Sequence, residues 1–313
     1  MVESALPVIT LTGITGYIGS HVGKLLLESG KYKVRGTVRS KTNEAKIAPI
    51  RESFGELFDQ LELVEADLLN EASLLEAISG STYVMHVASP FVIEKPKHED
   101  ELIKPAVEGT LAVMKAAHQG KVKRVIVTSS IAAIIGVSPE NAPDDYTYTE
   151  DHWTDVNSQI GKDAYMKSKT LAEKAAWDFL KDLPEEERFE MATINPSFVV
   201  GPSLCGPGYT SMKIVADTVT GKHPGMIKVM MNFVDVREVA LAHVKALETP
   251  DAAGKRFITS AKAMWMPEYG EILYKEFGPK GYEFSRSEPP YCMMKFLSYF
   301  INDVAAMLPY YDR

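Results

Sequence analysis

Tyr165 and Lys169 stand four residues apart in the stretch DAYMKSK, where a long helical pattern begins. Residues with this spacing lie on one face of a helix. A phenol ordinarily loses its proton near pH ~10, and a neighbouring ammonium favours the phenolate, so the pair can act as a general acid and base near neutral pH. The spacing therefore predicts a site that exchanges a proton with a substrate oxygen.

Two serines, Ser129 and Ser130, end the apolar run in IVTSSIAA. In an open α/β sheet the carboxyl ends of the strands face the ligand crevice. A serine hydroxyl in that place can bind a substrate oxygen and orient it. Serine, tyrosine and lysine together predict the reduction of a carbonyl, which needs a hydride on carbon and a proton on oxygen. The YxxxK spacing alone is common on helix surfaces, so this prediction depends on the rest of the chain.

The elements that must position these residues alternate between strands and helices. The sequence predicts strands at 8–12, 33–38, 61–66, 83–88 and 124–130, and a sixth that stops at Pro196. It predicts helices around 45–54, 72–78, 102–117 and 164–180. This alternation predicts an α/β fold, a doubly wound parallel sheet of the Rossmann type with helices on both faces.

The composition of the sequence changes after Pro196. GPSLCGPGYTS is a loop by composition, and FVDVREVALAHVKALE reads as a strand and helix that rejoin the first layer. The remainder is rich in Met and aromatic residues. We therefore predict a nucleotide-binding domain of 1–196 with about 232–260, and an interleaved, smaller C-terminal substrate domain of about 197–231 with 261–313.

Three glycines, Gly13, Gly16 and Gly19, fall between the first strand and the first helix in LTGITGYIGS. In a strand–turn–helix context the first glycine makes a tight turn, the second lets the backbone approach a diphosphate, and the third lets the helix pack against the strand. The helix N-terminus then offers N–H groups to phosphate. The pattern predicts a dinucleotide site.

Basic residues at the end of the second strand indicate which dinucleotide. Folds that choose NAD usually carry an acidic residue about twenty positions after the glycines, but this strand ends at Arg39. Lys46 lies on the same side if 43–50 is helical. The pair predicts a clamp for the 2′-phosphate of NADP(H). Asp67, after the third strand, is either a local cap or an acceptor for the adenine amino group.

Composition excludes several classes of protein. The chain has 313 residues, a net charge of −8 and two cysteines, Cys205 and Cys292. The negative charge argues against nucleic-acid binding, and two distant cysteines suit a reducing compartment without disulfides. No signal peptide, membrane-spanning run or HExxH zinc motif is evident, so we expect a cytoplasmic protein with no metal and no membrane partner.

These motifs, in this order, resemble the extended short-chain dehydrogenase/reductases. Within them the chain is similar to the dihydroflavonol reductase-like branch, with its cinnamoyl-CoA, phenylacetaldehyde and fungal methylglyoxal and ketone reductases. The stretches TGITGYIGS, VRGTVRS, VIVTSSIAA, AYMKSKTLAEKAAW and INPSFVVGP carry the resemblance, which covers nearly all of the chain.

The resemblance implies a role for individual residues. Ser130, Tyr165 and Lys169 match the family's catalytic residues. It implies cofactor binding by Gly13, Thr15, Gly16, Tyr17, Ile18, Gly19, Arg39, Lys46, Asp67, Leu68, Val87, Ala88, Ser89, Thr128, Ser129, Tyr165, Lys169, Pro196, Val199 and Ser211. It implies a substrate pocket under the smaller domain, near Phe91, Ile131 and Phe198.

The sequence thus predicts an NADPH-dependent reductase of a small apolar aldehyde or ketone, either a monomer or a homodimer. The apolar run IAAIIGV, where flavonoid reductases carry an asparagine, favours a simple carbonyl over a polyphenol. Three alternatives stay open: a hydroxysteroid dehydrogenase, a nucleotide-sugar epimerase of the same fold, and a non-catalytic NADP(H) sensor. The Met- and aromatic-rich smaller domain speaks against the epimerase, and the retained tyrosine and lysine speak against the sensor.

Overall fold

A computed structural model describes residues 5–89, 98–137, 146–158, 160–206, 210–223 and 225–300, together with 304, 308, 311 and 312. Its strands are β1 Val8–Thr12, β2 Lys33–Val38, β3 Leu61–Glu65, β4 Tyr83–His86, β5 Arg124–Thr128, β6 Glu190–Pro196, β7 Phe198–Val200, β8 Met230–Asp235, β9 Arg256–Thr259 and β10 Lys262–Trp265. Its α-helices are α1 Tyr17–Ser29, α2 Glu44–Phe54, α3 Glu71–Ile78, α4 Asp100–Gln119, α5 Ala164–Asp182, α6 Thr210–Val219, α7 Val236–Glu248, α8 Met266–Phe277 and α9 Tyr291–Leu297.

The main sheet in the described part of the chain has seven strands in the order β3-β2-β1-β4-β5-β6-β9. Every neighbouring pair is parallel. From the central pair β1 and β4, the strands follow in one direction as β2 and β3 and in the other as β5, β6 and β9. This is the doubly wound arrangement, which has a crevice at the carboxyl ends of β1 and β4. The predicted fold class, an α/β parallel sheet of the Rossmann type, is confirmed.

Alternate residues of β5 show how the two faces of this sheet are covered. Val125 and Val127 pack into one hydrophobic cluster with α3, α4 and α5. Arg124 donates hydrogen bonds to the carbonyls of Ala246 and Leu247 at the end of α7. Helices α1 and α7 pack against each other. The two-residue period of the strand thus distributes the helices between the two faces.

Three of the predicted strands end earlier than expected, and side chains explain two of these ends. β4 stops at His86 because the N–H of Ala88 donates to Thr12 Oγ1 (3.1 Å) rather than to the strand ladder. β5 stops at Thr128 because Ser130 caps a short 3₁₀ turn, Ile131–Ala133. β3 stops one residue short of the prediction, at Glu65. The end of each strand therefore begins the loop that carries predicted site residues.

The chain divides into two compact units. The first comprises Met1–Ser197, Gly201–Gly206 and Val236–Thr259, and the second comprises Phe198–Val200, Pro207–Asp235 and Ser260–Arg313. The second unit has a three-stranded sheet in the order β10-β8-β7, with β10 antiparallel and β7 parallel to β8. In its core Phe233 stacks on Tyr269 with ring centroids 4.7 Å apart, and burial raises the pKa of Tyr269 to about 12.

Two segments differ from the sequence-based division. Strand β8 was expected to join the first layer, but it pairs with β7 and β10 in the second unit. The segment Gly201–Gly206 was expected in the smaller domain, but it belongs to the first unit. There the Tyr17 hydroxyl donates to the carbonyl of Gly201 (2.8 Å), and His21 Nε2 donates to the carbonyl of Pro202 (2.9 Å). These bonds hold the segment against the start of α1.

Candidate active site

Helix α5 begins at the predicted proton-transfer pair. Asp163 caps it, since its Oδ1 accepts hydrogen bonds from the N–H groups of Tyr165 and Met166. The cap fixes the first turn, which places Tyr165 and Lys169 on one face. The Lys169 ammonium lies 5.8 Å from the centroid of the Tyr165 ring, and the tyrosine side chain is 37% exposed. The structure thus brings the predicted pair together at a position open to a ligand.

Lys169 also connects α5 to the loop after β4. Its Nζ donates to Ser89 Oγ at 3.1 Å. His86, at the end of β4, is fully buried nearby, and its Nδ1 lies 2.9 Å from Thr12 Oγ1. Burial, with a smaller contribution from the Lys169 charge, lowers the pKa of His86 to about 4. The histidine is therefore neutral at physiological pH and adds no second charge beside Lys169.

The two serines after β5 have different surroundings. Ser129 Oγ donates to Glu173 Oε2 at 2.5 Å and is committed to that buried carboxylate. Ser130 Oγ accepts from the N–H of Ala132 (3.1 Å), which leaves its own proton available as a donor. The 3₁₀ turn that Ser130 caps packs against α5. This difference favours Ser130 over Ser129 as the serine that binds substrate.

The glycine turn requires glycine at its first and third positions. Gly13 has φ +76, and a Cβ there would lie 3.0 Å from the backbone of Ala88. A Cβ on Gly19 would fall 2.0 Å from the carbonyl oxygen of Gly13. Gly16 is the N-cap of α1 and supplies no side-chain bond to the helix. A tight, side-chain-free approach to the start of a helix is therefore present, as a diphosphate site needs.

No sequence motif predicts how the helix after this turn fits its strands. Ile14 is fully buried, and its side chain occupies the space in front of two further glycines, Gly23 in α1 and Gly36 in β2. A Cβ on Gly23 would lie 2.2 Å from Ile14 Cδ1. These glycines stand outside the GxxGxxG spacing, so no motif pointed to them.

The predicted 2′-phosphate residues lie near the end of β2. Arg39 directly follows the strand, is exposed, and makes no hydrogen bond or ion pair within the described part of the chain. Lys46 is exposed in the first turn of α2, as the helical interpretation required. Asp67 Oδ1 accepts from the N–H of Leu69 (2.9 Å), so one of its oxygens acts as a local cap. Leu68 packs against Gly109 of α4.

Thr128 is tied to a buried histidine. His243 Nδ1 lies 2.7 Å from the carbonyl of Val239, which can only accept, so Nδ1 carries the proton and Nε2 accepts from Thr128 Oγ1 at 2.6 Å. Burial lowers the pKa of His243 to about 4. Thr128 therefore anchors the end of β5 to α7.

The remaining predicted residues fall in both units. Ile131 and Pro196 belong to the first unit, and Phe198, Val199 and Ser211 belong to the second. Phe91 lies outside the described residues. The other predicted cofactor residues, all in the first unit, lie at the glycine turn (Thr15, Tyr17 and Ile18) and after β4 (Val87). The roles assigned to these residues stay predictions.

The described residues provide neither a cluster for a metal ion nor a helix that could span a membrane. No group of three or more His, Cys, Asp or Glu side chains there is placed to hold a metal ion. Among the helices that the structure describes, none has both the length and the apolar character needed to cross a membrane.

Comparison with known proteins places this geometry in a family. Residues 9–258 match the NAD dependent epimerase/dehydratase family. Cinnamoyl-CoA reductase 1 of Arabidopsis thaliana is 37% identical over 270 residues, which are 86% of this chain and 74% of the relative. The bifunctional dihydroflavonol 4-reductase/flavanone 4-reductase of Malus domestica is 34% identical over 275 residues, which are 86% of this chain and 76% of the relative.

A solved structure supports the same placement. Yeast methylglyoxal/isovaleraldehyde reductase, crystallised with NADPH, superposes with a TM-score of 0.76 at 27% identity and covers 90% of this chain and 86% of its own. The chain belongs to the NAD dependent epimerase/dehydratase family, that is, to the extended short-chain dehydrogenase/reductases. The similarity to the dihydroflavonol reductase-like branch is confirmed.

Proposed function

We propose that this protein is an NADPH-dependent reductase of small apolar aldehydes or ketones. The observation that carries the proposal is the arrangement on α5, where the Lys169 ammonium lies 5.8 Å from the ring centroid of an exposed Tyr165. The 3₁₀ turn that begins at Ser130 packs against this same helix. A phenol, an ammonium and a hydroxyl are the groups that protonation of a carbonyl oxygen needs.

The residues present fit NADPH. The glycine turn suits a diphosphate, since Gly13, Gly16 and Gly19 place no side chain at the start of α1, and neither Gly13 nor Gly19 has room for one. Arg39 offers an exposed guanidinium that no described residue engages, and a guanidinium suits a phosphate. The glycine turn would hold the diphosphate, and Arg39 with Lys46 would hold the 2′-phosphate. When bound, NADPH supplies the hydride.

The chain's own residues supply the proton and the orientation of the substrate. Tyr165 Oη donates its proton to the carbonyl oxygen as the carbon is reduced. The Lys169 ammonium stabilises the phenolate that remains, because opposite charges attract. Ser130 donates a hydrogen bond to the same carbonyl oxygen and so fixes its position relative to Tyr165.

The surface beside Ser130 supports an apolar substrate. In the run that follows it, Ala133 and Ile134 are fully buried, whereas Ile131 and Ile135 are partly exposed. These two isoleucines offer apolar area and no hydrogen-bonding side chain. The relatives named above are a cinnamoyl-CoA reductase, a dihydroflavonol reductase and a methylglyoxal/isovaleraldehyde reductase, all acting on carbonyl compounds by name.

The test is a panel of aldehydes and ketones with NADPH, followed by the loss of nicotinamide absorbance. Tyr165→Phe should lower kcat by about a thousandfold or more, since it removes the general acid, and should leave the Kd for NADPH within about twofold. Tyr282→Phe is the matched control, because this tyrosine is also exposed but lies in the second unit.

Two outcomes would reject the proposal. Turnover by Tyr165→Phe at the wild-type rate would remove the mechanism. Tight NADPH binding by the wild-type protein without reduction of any carbonyl would favour the sensor, and interconversion of sugar nucleotides without net oxidation would favour the epimerase.

A further inference from the structure

A buried carboxylate, Glu173, lies two helical turns after Tyr165 on the same face of α5. Its side chain is 1% exposed. Its Oε1 accepts from Arg256 Nε (2.6 Å) and Thr193 Oγ1 (3.1 Å). Its Oε2 accepts from Ser129 Oγ (2.5 Å) and Asn195 Nδ2 (2.8 Å). Both carboxylate oxygens are therefore saturated with donors from three different strands, β5, β6 and β9, or from the residues that directly follow them.

Two of these hydrogen bonds, those from Ser129 and Asn195, connect Glu173 to the predicted catalytic serine, Ser130. Ser129 is its neighbour in the chain. Asn195 Nδ2 donates both to Glu173 Oε2 and to the carbonyl oxygen of Ser130 (3.1 Å). The same carbonyl accepts from the N–H of Ala133 and so closes the 3₁₀ turn. The backbone on both sides of the Ser129–Ser130 peptide is thus fastened to the helix that carries Tyr165 and Lys169.

Arg256 has a different part in this cluster. Its guanidinium pairs with Glu173, donates to the carbonyls of Glu150 and His152, and lies 3.7 Å from the ring centroid of Trp153. Its side chain is 8% exposed. Its Nη2 also lies 3.5 Å from the carbonyl of Ala133 in the 3₁₀ turn, but it makes no described hydrogen bond to Ser130 or Ser129. Its charge compensates the carboxylate, which would otherwise be costly to bury.

Stability alone is a weak reason for such a pair. Replacing a buried ion pair by apolar side chains of similar volume is often neutral or stabilising. A carboxylate can, however, do what an apolar side chain cannot, which is to accept several hydrogen bonds from fixed directions at once. At this place those directions define where the end of β5 lies relative to α5.

We propose that Glu173 is a positioning residue for the reaction. Its hydrogen bonds with Ser129 and Asn195 hold Ser130 at a fixed position relative to Tyr165 on α5, and we call this set of bonds the tether. Arg256 supplies the compensating positive charge. The kinetic part of this inference rests on the proposed reductase function. The geometric part does not, because it concerns the order of the turn that begins at Ser130.

Two variants test the tether. Glu173→Gln removes the charge and one strong acceptor. Asn195→Leu removes the bridge between Glu173 Oε2 and the Ser130 carbonyl, together with an acceptor of Thr193 Oγ1, but it leaves the pair of Glu173 with Arg256 intact. It therefore tests the bridge without removing the charge. The matched control is Trp177→Phe, which removes a donor to the same carboxylate (Nε1 to Oε1, 3.3 Å) on a residue further along α5 and away from Ser130.

The expected result has a kinetic and a structural part. Both tether variants should lower kcat at least tenfold, with the carbonyl KM and the Kd for NADPH changed less than threefold. Hydrogen exchange, measured without cofactor, should speed up at least tenfold at the amides of 132–134 relative to those of β2. Trp177→Phe should change neither quantity.

Each outcome decides the proposal. It fails if the tether variants behave like Trp177→Phe in exchange at 132–134, whatever their kinetics. It also fails if exchange rises at the turn but kcat stays at the wild-type value, because the held position would then be irrelevant to the reaction. If Glu173→Gln does not fold, Asn195→Leu decides alone. If the wild-type protein reduces no carbonyl, the proposed function fails, while the exchange measurement still decides whether Glu173 holds the turn.

Discussion

The position of Gly19 leaves no room for a side chain beside Gly13. A Cβ on Gly19 would lie 2.0 Å from the Gly13 carbonyl oxygen and 2.8 Å from the carbonyl carbon. These are backbone atoms and cannot rotate away. The helix α1 therefore starts where it does only because its third residue is glycine. The proposed diphosphate site at the start of α1 depends on this glycine as well.

Gly19→Ala should destabilise the first unit by about 3 kcal/mol or more, because the turn must move to accept one methyl group. It should also weaken NADPH binding at least tenfold. Urea unfolding and a fluorescence titration measure the two effects. Gly30→Ala is the control: Gly30 also has a constrained backbone, φ +63, but an added Cβ there meets nothing within 4 Å. It should cost about 1 kcal/mol and leave binding unchanged.

Arg39→Asp should move cofactor preference toward NADH. The guanidinium is exposed at the end of β2, and replacing it by a carboxylate loses a charge-assisted bond to phosphate and adds repulsion. We expect the ratio of kcat/KM for NADPH over NADH to fall by about tenfold to a hundredfold.

The control for that experiment is Lys33→Asp, which makes the same change of charge at the other end of the same strand. It should leave the ratio within about twofold, since exposed charges far from the ligand are screened. Equal shifts in the two variants would mean that Arg39 acts only through net charge and does not contact the cofactor.

Two buried histidines should make the protein less stable in mild acid. Burial lowers the pKa values of His86 and His243 to about 4 from the ordinary value of 6.5. Between these values the unfolded chain binds protons that the folded chain does not, so the free energy of unfolding falls as the pH decreases from 6.5 to 4. Each histidine contributes up to about 3 kcal/mol to this loss.

His243→Gln isolates one of these contributions, because an amide keeps a donor and an acceptor but does not titrate in this range. The slope of the unfolding free energy against pH between 6.5 and 4 should decrease by the amount that corresponds to the uptake of about one proton on unfolding. His98→Gln, at an exposed position, should leave the slope unchanged. Chemical denaturation at half-unit pH steps measures both, and an unaltered slope in His243→Gln would show that His243 takes up its proton over the same pH range in the folded protein as in the unfolded chain.

Arg124 should contribute more to stability than its position as the first residue of β5 indicates. Its side chain is 7% exposed and donates to the carbonyls of Ala246, Leu247 and Thr249 at the end of α7. Arg124→Lys cannot reproduce these bonds and should cost about 3 kcal/mol. Arg188→Lys is the comparison, since Arg188 also binds helix-terminal carbonyls but is exposed, and it should cost less than about 1 kcal/mol. Similar losses in calorimetry would contradict the importance of burial.

The sequence predicted those parts of the fold that local pattern determines. The strands β1 and β2 and the start of α5 lie where apolar runs, glycines and helical spacing placed them. The sheet that β8 joins could not be predicted in this way, because it depends on packing of Phe233 against Phe198, thirty-five residues earlier. Long-range pairing leaves no local signal in a single chain.

The same limit applies to the site. Tyr165 and Lys169 have a recognisable spacing, but Glu173 looks like an ordinary charged residue of a helix. A signal was present: Glu173 lies between Ala172 and Ala176, both buried, at the spacing that continues the face of Tyr165 and Lys169. The partner that makes its burial possible, Arg256, is eighty-three residues away in sequence, and only the folded sheet brings the two together.

The interleaving of the two units has a consequence for how the protein is made. The first unit includes helix α7 and strand β9, with His243 and Arg256. In the chain both elements follow Pro207–Asp235, which belongs to the second unit. While the ribosome has released only the first two hundred residues, Glu173 has no counter-ion and β6 is an unprotected sheet edge. The nucleotide-binding unit therefore completes its folding only when translation has passed Thr259, and the nascent chain until then presents an edge that chaperones or other chains can capture.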